Sequence, residues 1–167
     1  MNRITETPIS TDGSHPILVA IDFSDDSRAA LVWASDYAAL VSAPIIVLHV
    51  IHDPAENPGF YNKAGHSALL PLEDVAQEKM DEFMKEVASD YSDLESPFPI
   101  EKKFAVGLPA GRITAVAEKE GAQMIVIGTR GRTGLSNLLL GSVAKQVLKK
   151  SGVPVVVVKG DQQKPPE

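Results

Sequence analysis

Apolar residues fall along this chain in two rhythms. Short, nearly unbroken runs rich in Val and Ile occupy 17–21, 45–51, 124–127 and 153–158, as strands buried on both faces do. A weaker, more polar run at 101–106 fits an edge strand. Between them the spacing turns helical. Ala29, Ala30, Trp33, Ala34, Tyr37, Ala38 and Val41 follow the first strand, and Val75, Met80, Phe83, Met84 and Val87 lie within a helix over about 72–91. Ile113, Val116 and Ala117 mark a third helix, and a fourth runs from about 141 to 150. Trp33 reads as core. The boundaries carry their own signals: Ser24 caps the first helix, with Asp25 and Asp26 in its first turn, Pro109 opens the third, and Gly121 and Gly152 stop the third and fourth.

Strands alternating with helices predict βαβ units, hence a parallel sheet covered on both faces and wound right-handed. The expected architecture is α/β: a single-domain doubly wound parallel sheet over 16–160, with a polar leader at 1–15 and a tail at 161–167. Residues 53–72, with Pro54, Pro58, Gly59, Gly65 and Pro71, form a long irregular connection, of the kind that serves as a lid or partner surface. No internal repeat interrupts the pattern.

The stretch 125–150, IVIGTRGRTGLSNLLLGSVAKQVLKK, reads as strand, glycine loop and helix. Such sheets bind ligands beyond the carboxyl ends of their strands, where Asp22 and Gly128 both fall. A helix N-terminus offers unpaired N–H groups to an anion. The first helix begins with acids and repels phosphate, so the phosphate end belongs at the glycine loop. Gly128, Gly131, Gly141 and Ser142 stand in the pattern Gly-x2-Gly-x9-Gly-Ser. Neither GxxxxGK[ST] nor a strand-linked GxGxxG is present. On the residues alone, a tight connection with no ligand is the alternative.

That spacing, with the first strand ending in Asp22 and the closing PVVVVK, resembles the universal stress proteins that bind ATP. The resemblance spans nearly the whole chain. It implies a five-stranded sheet of order 3-2-1-4-5 and a nucleotide held by Asp22, Gly128, Gly131, Gly141, Ser142 and Val143. It also places Ala20, Val50 and Ile127 around the adenine, although from sequence alone each is core. Asp22 would face the ribose or the base, against its plainer reading as a turn residue. The resemblance points to a homodimer through the last strand, 153–158, whose uncharged VPVVVV would otherwise be an exposed edge.

Charge changes the picture next. The chain of 167 residues carries −6 overall, yet 121–160 hold Arg130, Arg132, Lys145, Lys149, Lys150 and Lys159 without one acid. The acidic total argues against nucleic acid as partner. Lys149 and Lys150 complement a helix C-terminus. Arg130 and Arg132 have no such explanation and are expected to meet phosphate.

The absence of cysteine excludes disulfides and thiolate metal sites. No apolar run is long enough to span a bilayer, which fits a cytoplasmic protein. His49 and His52, three apart in a strand, point to opposite faces and do not make a metal site with Asp53. The expected function is a nucleotide-dependent regulatory module of the stress response using ATP with magnesium or manganese. The alternative is a slow metal-dependent ATPase or phosphotransferase in the same pocket. No carboxylate lies between Glu120 and Asp161 to hold a metal at the loop, so a dedicated catalyst is not indicated.

Overall fold

The computed structural model describes residues 15–52, 72–91, 100–130 and 140–160. Along these run β1 (Ile17–Ile21), α1 (Asp25–Val41), β2 (Ile45–Ile51), α2 (Leu72–Asp90), β3 (Ile100–Val106), α3 (Pro109–Lys119), β4 (Met124–Gly128), α4 (Ser142–Lys150) and β5 (Val155–Val158). The expected leader up to residue 14, the 53–71 stretch, Gly131, Arg132 and the tail lie outside the described residues.

The strands pair in parallel in the order β3-β2-β1-β4-β5, as the resemblance implied. The chain starts in the middle of the sheet, winds outward to β3, then returns to the other side of β1. β1 and β2 are buried along their whole length, which is why they read as unbroken apolar runs rather than as alternations. Alternate side chains feed two cores. Ile17, Val19 and Ile21 pack against α1 and α2, while Leu18 and Ala20 join Ile125 and Ile127 against α3 and α4.

β3 closes one side, and the polar positions that set it apart form ion pairs. Lys102 meets Asp81 at 2.6 Å, and Lys103 meets Glu101 and Glu120 at 3.0 Å each. β5 closes the other side and is shorter than 153–158. Ser151 Oγ donates to the Val153 carbonyl and accepts from the Val153 N–H, holding that residue in a turn. Gly121 ends α3 with a φ of 62°, a left-handed stop that favours glycine.

The first helix corrects one expectation. Its buried residues are Asp26, Ser27, Ala30, Leu31, Ala34, Ser35 and Ala38, a stripe of mostly small side chains that brings the helix close to the sheet. Trp33 lies to one side of that stripe, 36% exposed, with its ring stacked on Tyr37 at 5.3 Å. It is a boundary residue and not core.

Candidate functional site

β1 and β4 are neighbours, with Ala20 opposite Ile127, so their carboxyl ends open at the same edge of the sheet. Ala20, Val50 and Ile127 all belong to the core on the α3/α4 side, and each lies within two residues of its strand's end. They are 5%, 8% and 7% exposed. The structure thus puts these three expected residues on one face of the sheet.

Asp22 follows β1 directly. The turn into α1 is unusual because Phe23 takes φ 65°, a left-handed conformation that costs a non-glycine residue roughly 1–2 kcal/mol. Packing explains its retention: the Phe23 ring lies 4.4 Å from the His49 ring and 5.6 Å from that of Phe83. The turn leaves Asp22 Oδ1 accepting from the Ser24 N–H at 3.1 Å and from Ser24 Oγ at 2.5 Å. Ser24 Oγ is also the N-cap acceptor of the Ser27 N–H and stands 3.5 Å from the Arg130 carbonyl. One hydroxyl therefore ties Asp22 to the start of the glycine loop.

The loop is pinned at its neck. The Thr129 N–H donates to the Val158 carbonyl at 2.9 Å, and the Gly141 N–H donates to the Thr129 carbonyl at 2.6 Å. The N-terminus of α4 is thereby held against the end of β4. Gly141 caps α4 in extended conformation with no side-chain cap hydrogen bond. Ser142 is exposed and Val143 half-buried in the first turn. No acid sits in that turn, and Lys149 and Lys150 occupy the last one.

Arg130, expected at a phosphate, faces Asp26 across the neck of the loop. Arg130 is compensated: its Nε and Nη2 donate to Asp26 Oδ2 and Oδ1 at 3.1 and 3.0 Å. Asp26 is only 4% exposed. It also accepts from Thr129 Oγ1 at 2.5 Å, from the Arg130 N–H at 2.9 Å and from the Gly160 N–H at 3.2 Å. Burial pushes its carboxyl up. The hydrogen bonds from the Arg130 side chain, the Thr129 hydroxyl and the Arg130 N–H, with the guanidinium charge, outweigh that and hold it below its ordinary value. The same contact raises Arg130.

Asp26 also gives Gly128 a reason of its own. A Cβ there would stand 2.8 Å from the backbone carbon and the Cβ of Asp26, and one at Gly160 would stand 2.7 Å from Asp26 Oδ1. Gly128 is thus required by the approach of α1. Asp26 was not among the expected site residues, because a first-turn Asp normally faces water. The signal was its place four residues before Ala30 in the Ala30, Ala34, Ala38 series.

His49 and His52 are used locally. Their Nδ1 atoms lie 2.9 Å from the Ile21 carbonyl and 3.3 Å from the Gly107 carbonyl. Among the described residues no cluster of three or more His, Cys, Asp or Glu is placed to hold a metal, and no helix is long and apolar enough to cross a membrane.

Residues 13–159 match the universal stress protein family. The chain belongs to that family. It is 31% identical over 153 residues to the universal stress protein MJ0577 of Methanocaldococcus jannaschii, covering 86% of this chain and 93% of the relative. It is 32% identical over 152 residues to the universal stress protein YxiE of Bacillus subtilis, covering 86% and 97%. A solved structure of MJ0577 matches with a TM-score of 0.68 at 30% identity, covering 90% of this chain and 99% of that one. The universal stress protein from Archaeoglobus fulgidus, solved in complex with dAMP, matches with a TM-score of 0.59 at 25% identity, covering 87% and 98%.

Proposed function

We propose that this family member is a cytoplasmic ATP-binding regulatory module of the stress response, working as a homodimer, with the nucleotide across the carboxyl ends of β1 and β4. The observation that carries the reading is the N-terminus of α4. It is capped by a glycine without a side-chain acceptor and fixed beside the end of β4 by the 2.6 Å hydrogen bond from Gly141 to Thr129. Such an end offers amide N–H groups and a partial positive charge to phosphate. The apolar face of Ala20, Val50 and Ile127 suits a base, and Asp22, beyond the end of β1, suits ribose hydroxyls or an exocyclic amine. The dAMP complex of the Archaeoglobus relative supports an adenine nucleotide.

The residues present fit the group. Ser142 and Val143 would take the phosphates through their N–H groups and the Ser142 hydroxyl, while Gly141, whose own N–H is held by Thr129, would let them come close. Gly128 would line the ribose side, and Gly131 and Arg132, which follow it in the sequence, are proposed members of the same site. Magnesium or manganese would enter on the oxygens of the triphosphate.

The test is calorimetry of ATP and adenosine against the protein and its Ser142→Ala variant. Losing a hydroxyl bond to a charged group is expected to weaken ATP by roughly tenfold to 150-fold and adenosine much less. Equal losses for both ligands would remove Ser142 from the phosphate end. Absence of binding by the unaltered protein would end the nucleotide reading.

A further inference from the structure

Five donors converge on one buried carboxylate, and four of them come from the first two residues of the glycine loop. Asp26 Oδ2 takes the Thr129 hydroxyl, the Arg130 N–H and Arg130 Nε, and Oδ1 takes Arg130 Nη2 and the Gly160 N–H. The seat is full on two sides, where the missing Cβ atoms of Gly128 and Gly160 leave just enough room for Asp26. This carboxylate has no freedom to follow its partners elsewhere.

We infer that Asp26 is the positioning residue of the glycine loop, and that the Arg130 guanidinium clamps the loop onto Asp26 instead of serving as a phosphate ligand. The inference rests on the nucleotide reading above and deepens it. Three observations support it. Moving Arg130 to a phosphate would leave Asp26 charged, buried and without its cation, which is strongly unfavourable. The Arg130 N–H is turned toward α1 by its 2.9 Å bond to Asp26, so this amide is not offered to a ligand. Thr129, held through its hydroxyl by Asp26, supplies the carbonyl that anchors the Gly141 N–H. Asp26 therefore stands one residue away from the start of α4, where the phosphates would sit. Arginine suits the task because its planar fork matches a carboxylate in two bonds, which lysine cannot do.

A double-mutant cycle with ATP binding as readout tests this, using Asp26→Asn, Arg130→Gln, the pair together, and Arg130→Lys. All are measured by calorimetry well below their melting points. Each single change is expected to weaken ATP roughly tenfold, about the worth of one net hydrogen bond, with the double variant no weaker than either single one. Arg130→Lys should do no better than Arg130→Gln. A direct phosphate ligand behaves differently: Arg130→Lys would keep most of the affinity, and Asp26→Asn would leave ATP unchanged or tighter while Arg130→Gln weakens it. Either result overturns the inference, as does a lowered melting temperature with unchanged ATP affinity in every variant. Should Asp26→Asn fail to fold, the comparison of Arg130→Lys with Arg130→Gln decides alone. No ATP binding by the unaltered chain would instead overturn the nucleotide reading, and this inference with it.

Discussion

Asp26 shows how one side chain can define both a local fold and its tolerance of change. The Cβ that alanine would add at Gly128 meets backbone and Cβ atoms at 2.8 Å, and backbone cannot rotate away as a side-chain tip can. Gly128→Ala is therefore expected to destabilise the protein by about 1–3 kcal/mol, the usual cost of overpacking, in chemical denaturation. Gly152→Ala, with nothing within 4 Å of its Cβ, should stay within about 0.5 kcal/mol. Acid gives an independent test. Because the folded Asp26 titrates below its ordinary value, its contribution is fully present above the unfolded value of about 3.9. It fades as pH falls through the lower folded one. The stability gap between the protein and Asp26→Asn should hold steady from pH 7 down to about 5 and narrow below about 3.9. A gap independent of pH would show that Asp26 is not held as the carboxylate. Gly128 was legible in the sequence as a member of a motif, but the close approach of α1 to it was not. A glycine needed for an approaching helix and one needed for an approaching ligand look alike until the neighbour is seen.

At the scale of elements, strands were the most legible because Val and Ile runs buried on both faces have no competing reading. Helix α1 was legible as a helix, and Ala30, Ala34 and Ala38 of its expected stripe are fully buried. The one misplaced member is Trp33, whose large ring read as core but stands at the edge of the stripe. The small residues let α1 lie close over β1 and β4. Ala34→Leu should thus be costly, about 1–3 kcal/mol by overpacking. Leu40, 83% exposed on the same helix, should accept Leu40→Ser with a change within about 0.5 kcal/mol. Thermal melts of the two variants check this: an unperturbed Ala34→Leu would show that α1 does not pack closely on the sheet. The left-handed Phe23 had no signal in the sequence, since its conformation is imposed by His49 and Phe83 from other elements.

The order of the whole sheet leaves β5 with one paired side among the described residues, and the ladder tells which of its backbone groups face outward. The Ile125 N–H donates to the Pro154 carbonyl and the Thr129 N–H to that of Val158. In a parallel pair the same alternate residues send both their polar groups to the neighbour. Residues 154, 156 and 158 therefore serve β4, and Val155 and Val157 present N–H and carbonyl groups to the open side. The side chains of β5 are half-buried against the two cores. A short uncharged edge of this kind is a template for pairing, and a twofold axis lets the same edge pair with itself. We expect the homodimer to form there. Val157→Pro is the discriminating change because it removes an outward N–H while leaving the bonds to β4 in place, and proline is tolerated on an edge. Light scattering at micromolar concentration should show a dimer for the unaltered protein and a folded monomer for Val157→Pro. A variant that stays dimeric would place the interface elsewhere, and a monomeric unaltered protein would remove the dimer from the proposed function.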